Sequence, residues 1–136
     1  MTIVDSTVWI DYFNGVTSPK TDLLDRKLAT DRIGIGDIIL SEVQRGFKDD
    51  KGFEKAKNYL LSLPCFDLCG KAIALKSAEN YRLLRKQGIT VRKTVDVIIG
   101  RFCIENDLPL RSLTQNMATF VTKCHQFSPF FVTDWG

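Results

Sequence analysis

The pattern of residues along this chain predicts an α/β domain, a mostly parallel sheet covered by helices on both faces. Three observations carry that prediction. Short β-branched or apolar runs alternate with longer stretches of helical periodicity, the order that builds parallel sheets. With 136 residues, 44% hydrophobic and 26% charged, the chain has the size and balance of one domain with a real core. No repeat, low-complexity run or Gly/Ser linker divides it, so residues 1–136 read as a single unit.

The elements follow in order. Thr2, Ile3 and Val4 form a strand ending on Asp5, and Ser6 and Thr7 lead directly into a helix carrying Val8, Trp9, Tyr12 and Phe13. Asn14-Gly15 stops that helix. Ser18 caps the next, with Pro19 in its first position and Leu23, Leu24 and Leu28 on its buried side, running to about Thr30. Ile33-Gly34-Ile35 is a short strand, and Gly36-Asp37 caps a helix from Ile38 to Phe47. A charged turn at residues 48–52 precedes an amphipathic helix from Phe53 to Leu63, ended by Pro64. Cys65 to Leu68 reads as a strand. Gly70 to Lys86 is the longest helix, with Ile73, Leu75, Ala78, Tyr81 and Leu84 among good helix formers and Gly88 as its stop. Thr94 caps an almost wholly apolar helix, Val95 to Glu105, and Leu108 to Leu110 is the next strand. The tail offers a helix over Met117–Cys124 and a last strand, Phe130–Thr133.

Composition narrows the class further. No run approaches the ~18 uninterrupted apolar residues of a membrane span, and the N-terminus lacks a basic-then-apolar signal pattern, so a cytosolic protein is expected. The net charge of +3 permits a nucleic-acid partner without requiring one. Cys65, Cys69, Cys124 and His125 fit no paired-knuckle zinc spacing, and Cys65 and Cys103 lie in apolar runs, so reduced core thiols are expected.

Three acids stand out. Asp5 ends the first strand, at the carboxyl edge of a sheet where ligands bind. Glu42 sits beside the apolar stripe of its helix, a costly place for a carboxylate that is neither paired nor coordinated. Asp96 opens an apolar helix that leads into a strand. Each has a local explanation: Asp5 as a cap, Asp96 as a partner of the helix dipole, Glu42 bonded to a buried arginine. Jointly, three carboxylates in one concavity repel unless protons or a cation are present, and hard oxygen ligands suit Mg2+ or Mn2+. Such a cation activates water and neutralises phosphate charge. The same physics serves a phosphoacceptor domain, which also wants a mid-chain strand-end Asp and a late strand-end Lys. Lys123, inside a helical pattern, matches the latter poorly.

The segments TIVDSTVWIDYF, IILSEVQRGF and TVDVIIGRFCIENDLPL resemble PIN-domain ribonucleases, specifically the VapC-type toxins of prokaryotic toxin–antitoxin pairs. The resemblance covers residues 1 to about 110 in order and spacing. It implies a PIN-like fold with a five-stranded parallel sheet, Mg2+-dependent RNA cleavage, homodimerisation and inhibition by a VapB-type antitoxin. It assigns Asp5, Glu42 and Asp96 to the principal acidic positions and Thr7 or Ser6 to the hydroxyl beside the first. The departure is at the end. In LTQNMATF, Thr114 aligns, but Asn116 stands where the family has a fourth acid, keeping an oxygen ligand and losing the charge. The expected activity is therefore a Mg2+-dependent endoribonuclease, with Asn116 and Thr114 at the rim. The alternative is an impaired module that binds antitoxin or RNA without cleaving. Arg45, Arg92, Lys93 and Arg101 flank the acidic segments and are candidates for phosphate contacts, or for plain surface charge.

Overall fold

Thr2, Ile3 and Val4 are buried on every side, the pattern of a central parallel strand rather than of one with a wet face. The structure, a computed structural model, describes residues 1–91, 93–108 and 110–111. In chain order the elements are β1 (Thr2–Val4), α1 (Ser6–Phe13), α2 (Pro19–Thr30), β2 (Ile33–Gly36), α3 (Asp37–Gln44) and α4 (Asp50–Leu60). These are followed by β3 (Cys65–Phe66), α5 (Lys71–Lys86), α6 (Thr94–Glu105) and β4 (Leu110–Arg111). The described strands form one four-stranded sheet in the order β3-β2-β1-β4. Every pairing is parallel: Ile3 faces Gly34 on one side and Leu110 on the other, and Gly36 faces Phe66. The predicted helix at 117–124 and strand at 130–133 lie outside the described residues.

Strand order positions the site. The chain builds outward from β1 through β2 to β3, then returns through α5 and α6 to place β4 on the other side of β1. The direction of winding thus reverses beside β1, which makes its carboxyl end a topological switch point. Asp5 is the next residue.

The helices fall into two packed groups: α1 against α2 and α3, with α4 on α3, and α5 against α6. Trp9, wholly buried, stacks on Phe13 at 5.8 Å between centroids and meets Tyr12 and Tyr59 edge-on, tying α1 to α4. The helix signals in the sequence mostly act as expected. Ser18 and Thr21 form a reciprocal capping box with Pro19 at the first position, and Gly15 and Gly88 take positive φ just beyond α1 and α5.

Two expectations need correction, and one buried face could not be read from hydropathy. The helix predicted over 53–63 begins earlier, because Asp49 accepts from the Gly52 amide and caps it. The inward stripe of α5 is Ser77, Asn80 and Leu84, while Leu75 is 60% exposed. Arg101 of α6 donates to Asn80 and gives α5 a polar contact that hydropathy does not reveal. Finally, Cys65 and Cys69 are exposed, and of the described cysteines only Cys103 is a core thiol. Burial pushes that thiol well above the ordinary range.

Candidate active site

The first acid is fixed by the end of β1. Asp5 is 2% exposed and occupies the N-cap position of α1 in extended conformation, yet its side chain makes no capping bond. The cap explanation therefore fails in its usual form. Thr7 Oγ1 instead donates to Asp5 Oδ2 at 2.8 Å, which fixes the carboxylate's rotamer. Ser6, the other predicted hydroxyl, is buried.

The second acid comes from the helix after β2. A parallel crossover begins each helix at the carboxyl edge of the strand before it, and α3 starts directly after Gly36. Asp37 there is a structural clamp: one oxygen, Oδ1, accepts from the Ile38 amide at 2.8 Å and from the Leu68 amide at 3.0 Å. The second contact ties the segment after β3 to the start of α3. Glu42 lies along the same helix, half-buried, and lines a groove of about 480 Å³ with Asp37, Ile38, Ser41, Arg45, Lys93 and Val95. Among the described residues no buried arginine holds Glu42: Arg45 is exposed, and Arg101 bonds Glu105 and Asn80 instead.

The third acid is at the start of α6. Thr94 is the first residue of that helix and Lys93 its N-cap, one position earlier than predicted. Asp96 is half-buried in the first turn. Its carboxyl is raised to about 6, chiefly by loss of solvent, then by the Asp5 charge and to a smaller extent by Glu42, with Lys93 acting in the opposite direction. A bare partner of the helix dipole would be favoured as an anion. Asp96 is disfavoured as one chiefly by its burial, and further by the charges of Asp5 and Glu42.

Asp5, Glu42 and Asp96 are thus brought into one electrostatic neighbourhood by three separate elements. Among the described residues, no group of three or more acid, histidine or cysteine side chains stands close enough to hold one ion together. The three acids act on one another through space rather than as a closed ligand set. Their donor chemistry, all hard oxygen, fits Mg2+ or Mn2+ and is unsuited to a thiophilic ion. Thr114, Asn116 and Arg92 lie outside the described residues, as do Cys124 and His125. Sequence reasoning missed the Asp37 clamp, since its partner Leu68 is 31 residues away and nothing local marks the pairing.

No family model matches the chain. Over 109 residues, 78% of this chain and 81% of the relative, it is 28% identical to ribonuclease VapC11 of Mycobacterium tuberculosis. Its fold is similar to that in the VapBC2 complex of Rickettsia felis bound to promoter DNA. There the TM-score is 0.71 at 16% identity, covering 99% of this chain and 98% of that one. A toxin–antitoxin complex from Klebsiella pneumoniae is also similar, with TM-score 0.66 at 22% identity over 98% and 97% of the two chains. The chain is thus similar in sequence to a VapC ribonuclease and in fold to chains of toxin–antitoxin complexes, in agreement with the resemblance read from its sequence.

Proposed function

We propose that this chain is an endoribonuclease of the toxin type, hydrolysing RNA phosphodiester bonds with Mg2+ and neutralised by a cognate VapB-type antitoxin. The observation that carries the reading is the placement of Asp5 after β1, Glu42 on α3 and Asp96 at the start of α6, near enough that Asp5 and, more weakly, Glu42 add to burial in raising the Asp96 carboxyl. The relative's name supports RNA as substrate, and the similar complexes support an antitoxin partner. A homodimer and a cytoplasmic location belong to the same proposal.

Asp5, Glu42 and Asp96 are the residues that would hold Mg2+, with Mn2+ as a substitute. The bound cation supplies charge neutralisation at the phosphate and a water of lowered pKa. The chain's own contribution is orientation. Thr7 restrains Asp5, the start of α6 delivers Asp96, and α3 sets Glu42 at the wall of an open groove of about 480 Å³.

The test is cleavage of RNA in Mg2+ by the parent and by Asp5→Asn. The parent should cleave and the variant should lose about a hundredfold or more. Equal rates in both, or no cleavage by the parent at micromolar protein, sink the reading. Asn116 favours the second reading, a module that binds without cutting. Adding Asn116→Asp to the same assay separates the two, because a large gain in cleavage marks the parent site as incomplete.

A further inference from the structure

The groove beside Glu42 is lined by two cations, Arg45 and Lys93, of which Lys93 also acts electrostatically on Asp96. Arg45 is the C-cap residue of α3 and Lys93 the N-cap residue of α6, so they come from opposite ends of helices far apart in sequence. Both line the same groove of about 480 Å³, and both are exposed. Neither makes an ion pair within 4 Å among the described residues, although Glu42 lies three residues before Arg45 on the same helix and Asp37 lines the same groove. Asp37 is engaged elsewhere, its Oδ1 taken by two backbone amides. Arg101, the other described arginine near the acidic helix, is excluded from such a role by its bonds to Glu105 and Asn80.

A long cation beside a carboxylate normally folds onto it unless the geometry forbids it. Two that stay apart leave positive charge on the groove's walls next to a cluster of negative charge. That separation suits a phosphodiester chain, whose scissile phosphate goes to the acids and whose neighbouring phosphate needs fixed cations. The same groove is lined by the half-buried side chains of Ile38 and Val95, apolar surface for a sugar or base edge, and by the exposed Ser41.

We propose that Arg45 and Lys93 form a two-sided clamp on an RNA phosphate next to the one that is cut, and that the groove receives a single unpaired strand. The proposal rests on the nuclease reading for the position of the cut. The clamp acts in binding rather than in chemistry, and Arg45 and Lys93 are positioning residues.

The experiment measures binding of a short fluorescent single-stranded RNA in EDTA, at salt concentrations from about 50 to about 200 mM, and cleavage in Mg2+ separately. The proteins are the parent, Arg45→Ala/Lys93→Ala and the charge-keeping Arg45→Lys/Lys93→Arg. The double alanine variant should bind about tenfold more weakly, with a log–log salt slope shallower by about 1.4, the value for two lost contacts to a single strand. Its KM should rise with kcat little changed, and the charge-keeping variant should restore the salt slope. Unchanged affinity and slope in the double alanine variant overturn the clamp, even if the parent cleaves. A parent that binds no RNA at low salt overturns it as well. A parent that binds with the expected slope change and does not cleave supports the clamp and removes the nuclease reading alone.

Discussion

A single carboxyl records the whole site. Asp96 is raised to about 6 against an ordinary 3.8, so in the metal-free protein folding is coupled to its proton. The sign follows from the folded value being the higher one. The native state holds the proton more tightly, and the stability gained is complete below about pH 4 and lost as pH rises through about 6. Asp96→Asn removes that dependence. In EDTA, the variant should melt higher than the parent at pH 7, and the difference should shrink as pH falls from 6 to 4. Melting temperatures in matched buffers check this, and a variant that is less stable than the parent at pH 7 would contradict a carboxyl raised by burial and by the neighbouring Asp5 and Glu42 charges. Glu42 was legible in the sequence because a carboxylate next to an apolar stripe is anomalous by itself. Lys93 was harder to single out, since an exposed basic residue before a helix looks the same whether it lines a groove or meets only water.

At the scale of elements, the sequence located helices better than their ends or their faces. Pro19 and Ser18 gave the start of α2 because capping chemistry is local. The inward face of α5 was not legible from its apolar residues, since Ser77 and Asn80 are buried there while Leu75 is exposed, and Arg101 of α6 meets Asn80. The contact between α3 and the segment after β3 is equally non-local. Asp37 holds the Ile38 and Leu68 amides, and a methyl group in place of the Gly36 hydrogen would sit 2.2 Å from Leu68 Cδ1. Leu68 is wholly buried at this junction, which explains why glycine ends β2. Asp37→Ala strips the acceptor from two amides at once and should cost about 1–2 kcal/mol. Chemical denaturation should show a lower midpoint with an unchanged slope, and Asp37→Asn, which keeps an acceptor oxygen, should recover part of the loss. A midpoint equal to the parent's would mean that the clamp contributes nothing to holding this segment on α3.

At the scale of the molecule, the sheet order turns three remote acids into neighbours. Alternating strands and helices were enough to predict a parallel sheet, and the resemblance of three motifs named three acids whose charges act on one another in the fold. Neither stated that β1 lies between β2 and β4, because strand order is a tertiary choice that no local pattern encodes. That arrangement places mutual repulsion at one edge of an otherwise apolar core, and a divalent cation binding only the native state should relieve it. Mg2+ should therefore raise the melting temperature at pH 7, by about 2.7 kcal/mol of stability at a hundredfold excess over its dissociation constant. The gain should shrink below about pH 6, where protons compete for Asp96, and should be much smaller in Asp5→Asn. Potassium chloride at matched ionic strength should not reproduce it, since screening acts on every exposed charge and site binding acts on these three. Equal shifts in the parent and in Asp5→Asn would place the cation elsewhere on the surface and separate the acids of this edge from metal binding altogether.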